Sequence, residues 1–390
     1  MPNTTFRLRH VPAVLLLAGL AACGGGSPPT TTPPLTPVVE AGLSKSAQLG
    51  ELIFKDASLS ASGKQSCATC HNPDNAHGPT NNLSAQLGGA NGDVQGFRAA
   101  PSLRYLNRNP AFFFDKEGTP TGGFDRDGRA MTLAEQAERP FLAAHEMANV
   151  TKQNVVDKLK KAAYVEQAFS RMAFALQSYQ QEAPEFHPFD SKYDLFLAGK
   201  VKLSDQELRG LALFNNPDKG NCIGCHTSAR GADGSPPLFT DFTFDNLGLP
   251  RNKKLAANAD PAYFDLGLCG PDRTDLVAAH PELCGAFKVP TLRNVATRQT
   301  FLHNGAFDNL KDVVGFYVRR DTNPEEWYPA GADGAVQKFD DLPPEYRKNV
   351  NTTEVPYNRQ PGMAPALSPG EIDDVVKFLG TLTDGYKINP

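Results

Sequence analysis

The sequence predicts an all-α protein in which one helical plan is used twice, and three observations carry that expectation. The pentapeptide Cys-x-x-Cys-His occurs twice, as Cys67-Ala-Thr-Cys70-His71 and as Cys222-Ile-Gly-Cys225-His226. The stretches ahead of the two copies run in parallel: Leu43-Ser44-Lys45-Ser46-Ala47-Gln48-Leu49-Gly50-Glu51-Leu52-Ile53-Phe54 matches Leu203-Ser204-Asp205-Gln206-Glu207-Leu208-Arg209-Gly210-Leu211-Ala212-Leu213-Phe214. Elsewhere apolar residues recur at helical spacing, with little of the alternation that marks strands.

Each pentapeptide is the signature of covalent haem c attachment. Two thiols add across the haem vinyl groups, and the adjacent histidine binds iron from one face. The spacing is forced, because both thioethers and the imidazole must meet one rigid macrocycle. Zinc binding or a redox dithiol is the other use of paired cysteines. Two copies, each with histidine directly following and no matching Cys-x-x-Cys nearby, favour haem. The expectation is two covalently bound haem c groups in two cytochrome c-like domains with long loops.

Taken in chain order, Arg7, Arg9 and His10 precede an apolar run, Val11 to Leu20, too short to span a bilayer. It closes in Leu20-Ala21-Ala22-Cys23, which reads as a lipoprotein cleavage box. Residues 1–22 are then a signal peptide and Cys23 the lipidated first residue; ordinary secretion with cleavage nearby is the alternative. Residues 23–40, rich in Gly, Ser, Thr and Pro, form a flexible tether. This predicts a periplasmic lipoprotein that touches the membrane only through its anchor. The 390 residues suit two domains, 41–187 and 188–390, divided near the prolines at 184 and 188. Ser44 and Ser204 are helix caps, and Gly50 with Phe54, like Gly210 with Phe214, shares one helix face. A helix is expected from Asn154 to Gln180. A last one opens on the capping box Ser368-Pro369-Gly370-Glu371, carries Ile372, Val375, Val376 and Leu379 on one face, and packs on the first haem-bearing helix of its domain. Of seven cysteines, four belong to haem and Cys23 to lipid. Cys269 and Cys284 are left for a disulfide in an oxidising compartment, or for a free buried pair. A net charge of −4 gives no reason to expect nucleic acid or an anionic membrane surface as partner.

Further blocks follow the motifs in order. They are Ala100-Pro101-Ser102-Leu103, Asn109-Pro110-Ala111-Phe112-Phe113, Asp127-Gly128-Arg129-Ala130-Met131-Thr132-Leu133-Ala134-Glu135-Gln136-Ala137, Glu146-Met147, Phe287-Lys288-Val289-Pro290-Thr291-Leu292-Arg293-Asn294-Val295 and Phe301-Leu302-His303-Asn304-Gly305. With the two motifs they resemble the bacterial diheme cytochrome c peroxidase and MauG family over nearly the whole mature chain. The resemblance implies a peroxidatic haem on His71 and an electron-transfer haem on His226. Gln136 and Glu146 match the distal pocket of the first, where a carboxylate moves a proton between the two peroxide oxygens. Tyr317, fourteen residues after His303, stands where the peroxidases carry a methionine ligand and MauG-like members a tyrosine. A phenolate stabilises oxidised iron, whereas methionine raises its potential. Met363 is the rival ligand, and a core-packed Tyr317 the plainer alternative. Leu87 occupies the place of the distal histidine found in many peroxidases, sixteen residues after His71, so the first iron is expected open. His77 and His145 are expected at the surface or behind the ligands.

Three departures accompany the resemblance. Arg126 stands at the inter-haem position that carries the family's tryptophan relay, and the single tryptophan, Trp327, lies elsewhere. Tyr105 or a direct route between haem edges would then carry charge. Ala99 replaces the asparagine that helps bind an inter-haem calcium, leaving backbone carbonyls near Arg298 and Thr300. Asp115 to Gly123 is an insertion beside the distal pocket. The reading is a hydrogen peroxide-dependent oxidoreductase, leaning towards MauG-like oxidation of a partner protein. A peroxidase fed by a small cytochrome or cupredoxin is the first alternative, and a non-catalytic diheme electron carrier the second.

Overall fold

The computed structural model describes residues 42–159 and 165–388. The expected signal peptide, the expected lipid site at Cys23 and the expected tether lie outside them. Among the described residues the helices are α1 (Lys45–Lys55), α2 (Cys67–Cys70), α3 (Leu133–Leu142), α4 (Lys152–Lys158), α5 (Val165–Glu182), α6 (Lys192–Leu197), α7 (Asp205–Asn215), α8 (Leu310–Arg319) and α9 (Pro369–Gly380). The few strands are three antiparallel pairs of two residues each: β1 with β2 (Leu87–Gly88, Val94–Gln95), β3 with β4 (Phe113–Phe114, Pro120–Thr121), and β5 with β6 (Phe244–Asp245, Phe287–Lys288). The protein is all-α, with long loops between short helices. None of the described helices is long and apolar enough to cross a membrane.

Local chemistry sets the helix starts. The Ser44 hydroxyl accepts from Ala47 N–H, and Ser204 and Ser368 close capping boxes with Glu207 and Glu371. Of the helix expected over 154–180, the described residues show α4 as far as Lys158 and α5 from Val165, and 160–164 lie outside them. α4 begins on a Thr151/Asn154 capping box and ends at Leu159, whose N–H bonds back to Val156 and Asp157. A tightened last turn of this kind satisfies carbonyls that would otherwise be orphaned.

One crossing is used twice. α1 lies on α5, and α7 lies on α9. A Cβ on Gly50 would sit 2.0 Å from the Ala175 carbonyl oxygen, and one on Gly210 would sit 2.0 Å from that of Asp374. Only glycine allows backbones to approach so closely. Phe54 then packs edge-on to Tyr179 and Phe186, while Phe214 meets Phe239 and Phe378. Each crossing seeds its own hydrophobic core, one drawn from Ala47 to Phe186 and the other from Tyr193 to Leu382.

From Leu43 onward the chain is one compact unit, tied across the two cores by buried charge. Arg98 donates to Asp265 in bidentate fashion (2.7 and 2.8 Å) and to Asp127 (2.7 Å). Asp384 accepts from Arg104 (2.9 Å), the Tyr105 hydroxyl (2.7 Å) and Asn294 (2.6 Å). The 115–123 insertion supplies the turn and β4 of the β3–β4 hairpin and reaches the second half through Gly122 N–H to the Phe242 carbonyl. Cys269 and Cys284 are joined in a disulfide with Cα atoms 5.0 Å apart.

Candidate active site

At the first motif, α2 is a single turn that carries Cys67 and Cys70 and delivers His71 at its C-cap. The His71 Nδ1 lies 3.0 Å from the Pro101 carbonyl and 3.3 Å from that of His77. It is therefore the protonated nitrogen, leaving Nε2 a lone pair for a metal. Burial pulls the imidazole down to about 4, so it is neutral at physiological pH. The second motif repeats the arrangement, with His226 Nδ1 2.7 Å from the Phe239 carbonyl and burial again lowering its pKa. Burial, then the Glu146 charge, push Cys67 up to about 12 and Cys70 to about 11. Burial pushes Cys222 and Cys225 up to about 12. No group of three or more His, Cys, Asp or Glu suited to a metal ion occurs among the described residues. The residues fit haem better than zinc or a dithiol.

Glu146 follows α3 in a turn, fixed by its own N–H to Ala143 (2.9 Å) and by Gly89 N–H to its carbonyl (2.8 Å). Its side chain reaches solvent and lies within charge range of Cys67 and Cys70. Desolvation, then the charge of Asp125, raise its carboxyl to about 7. Gln136, half-buried on α3, lines a cavity with Phe124, Asp125 and Arg126. Asp125 was not singled out from the sequence. It has positive φ, a pKa raised chiefly by burial, and an ion pair with Arg129 at 3.3 Å. The signal was present in the charge-dense run Asp125-Arg126-Asp127-Gly128-Arg129, but the first member gains its meaning only beside Glu146 in space.

That cavity, about 680 Å³, also holds Cys222, Cys225, His226 and Tyr317. Its size suits a cofactor, for which roughly 300–1,000 Å³ is usual. Tyr317 projects from α8, and burial raises its phenol pKa. Tyr357, a second phenol missed in the sequence, lies 6.0 Å from it between ring centroids, with the Arg320 guanidinium 4.5 Å over its ring. Met363 is 55% exposed and lies outside the cavity lining, which removes the rival ligand. Leu87, in β1, is exposed and offers no nitrogen. His77 is fully buried, stacked on Phe186 behind His71; His145 is half-buried against Phe97. Trp327 packs on Phe316 and Phe307 in the second core, away from the cavity. Tyr105 lines the cavity with its hydroxyl held by Asp384. The carbonyls expected to remain for calcium are otherwise engaged: Ala99 accepts from Arg126, and Ala100 and Thr300 from Arg298.

Residues 44–202 match the family model described as di-haem cytochrome c peroxidase. The methylamine utilization protein MauG of Paracoccus denitrificans is 35% identical over 367 residues, spanning 87% of this chain and 88% of that one. The chain belongs to the diheme cytochrome c peroxidase and MauG family. Cytochrome c551 peroxidase of Pseudomonas aeruginosa is 30% identical over 68% of this chain and 70% of its own. The crystal structure of the diheme peroxidase BthA from Burkholderia thailandensis has a TM-score of 0.80 at 39% identity, covering 87% of this chain and 86% of that one. The protein is accordingly a peroxidase-type diheme oxidoreductase, reactive towards peroxide and working with a redox partner protein. Relatives of both kinds match.

Proposed function

We propose that this is an exported, periplasmic enzyme with haem c attached at both motifs, in which hydrogen peroxide reacts on the His71 side and electrons are drawn from a partner protein through the His226–Tyr317 side, in the manner of MauG. The observation that carries the reading is Tyr317, a phenol sharing one cavity with Cys222, Cys225 and His226. Haem, when bound, supplies an iron that accepts peroxide and stores its oxidising equivalents. The chain does the rest. His71 and His226 each present Nε2, fixed by the carbonyl on Nδ1. The Glu146 carboxylate takes the proton from the inner peroxide oxygen and returns it to the outer one, with the Gln136 amide orienting the molecule. A carboxyl poised near 7 can do both at neutral pH. Leu87 leaves the peroxide face unblocked.

A second reading, a peroxidase fed by a small cytochrome or cupredoxin, is favoured by Arg126, because a guanidinium cannot pass a hole towards a distant protein substrate. Spectra of the purified ferric protein distinguish the cases. One high-spin and one low-spin haem are expected, and Tyr317→Phe should alter only the low-spin signal; an unchanged signal removes Tyr317 as ligand. Rapid turnover with a reduced small cytochrome, and no modified partner by mass spectrometry, would establish the second reading. Two low-spin irons indifferent to peroxide would leave only an electron carrier. The lipid belongs to the same proposal, and an intact mass starting at diacylated Cys23 checks it.

A further inference from the structure

Two cations between the haem sites have no carboxylate partner. Arg126 donates from Nε to the Ala99 carbonyl (2.9 Å); Arg298 donates from Nη2 to Ala100 (2.9 Å) and from Nε to Thr300 (3.2 Å). Neither forms an ion pair among the described residues. Asp265 lies near enough to act on Arg126, but Arg98 already holds it in a bidentate pair. Burial, then the Arg298 charge, pull Arg126 down to about 9, and burial pulls Arg298 to about 10. A desolvated cation in this state calls for an anion. Both side chains line the cavity of the second motif, and Arg298 is also close enough to His71 to lower its pKa. The pair thus spans the two sites.

This is where the resemblance would put calcium, and the residues do not fit it. Calcium takes roughly six to eight oxygen ligands. Ala99 offers no side-chain oxygen, the neighbouring carbonyls already accept from guanidinium groups, and a divalent ion would meet two further positive charges. We propose that Arg126 and Arg298 stand in place of the calcium and bind the haem propionate carboxylates. Of five N–H groups on each guanidinium, the carbonyls engage one on Arg126 and two on Arg298. The rest form forks that match a carboxylate. Arg126 is then an inter-haem clamp that supplies charge, where the family's tryptophan supplies a relay.

The proposal rests on haem attachment at both motifs but not on the source of electrons. The holoprotein is treated with EGTA, its calcium measured by mass spectrometry, and its haem spectra and midpoint potentials compared before and after. Substoichiometric calcium and unchanged haems are expected; stoichiometric calcium whose removal perturbs the spectra would overturn the proposal. In parallel, Arg126→Gln and Arg298→Gln are made with Arg→Lys counterparts. Loss of a cation at a propionate should weaken reduction of the adjacent haem by about tenfold in equilibrium constant, or about 59 mV for one electron. Lysine should restore most of it. Two haems by pyridine haemochrome with potentials unmoved in the glutamine variants would sink the clamp alone, whereas fewer than two haems in the wild type would sink the reading beneath it.

Discussion

In the proposed mechanism Glu146 is the residue on which the peroxide chemistry turns. Replacing it with glutamine keeps the shape and removes the proton shuttle, so the rate of reaction with peroxide should fall by about 10²–10⁴, measured by stopped-flow absorbance. The sign of the pH dependence follows from the raised carboxyl. The form that accepts a proton is the carboxylate, so the wild-type rate should climb as pH rises through about 7 and level off above it. Glu146→Gln should lose that limb; a variant that keeps it would assign the ionisation elsewhere. Glu146, Gln136 and Tyr317 could be nominated from the sequence because each sits at a fixed distance from a recognisable block. Asp125 and Tyr357 were not, since what marks them is a neighbour in space: Glu146 for one, Tyr317 for the other. His77 shows the same limit, being fully buried against Phe54 and Phe186 of the first core in spite of its polar surroundings in sequence.

At the scale of helices, the two glycine crossings are the most demanding feature. Gly210→Ala places a methyl group 2.0 Å from a backbone oxygen, which no side-chain rotation can relieve. A loss of about 3 kcal/mol is expected, at the upper end of overpacking costs, read as a lower thermal midpoint of the holoprotein. Leu208→Ala, at an exposed position on the same helix, is the control and should leave the midpoint nearly unchanged. The starts of α1, α7 and α9 could be read directly, because Ser44, Ser204 and Ser368 declare them. The end of α4 could not. Its apolar period continues past Lys158, and the turn at Leu159 is a backbone event with no residue that forces it. The insertion at 115–123 was visible only as extra length; that it completes a hairpin bonded to Phe242 depends on a contact more than a hundred residues away.

Over the whole molecule, the halves are held together by charge placed out of water. Asp384 is the clearest node, with Arg104 and Tyr105 from one half and Asn294 from the other. Asp384→Ala strands a largely buried guanidinium, a change that costs about 3–5 kcal/mol. The expected outcome is separate calorimetric transitions for two halves that otherwise melt together; a single transition at the wild-type midpoint would show that the node contributes little. The division into two cores was legible from the repeated motif and its leader. Their union was not, because Arg98, Asp265 and Asp384 belong to no periodic pattern.

The repeated α1–α5 and α7–α9 crossings have a consequence for how the two haems came to differ. A scaffold that builds the same socket twice is indifferent to which socket reacts. In the proposed reading the contrast between them is carried by a turn bearing Glu146 in one half and a helix face bearing Tyr317 in the other. On that reading, different roles for the two halves require no difference in fold, only different side chains at the rim of each socket.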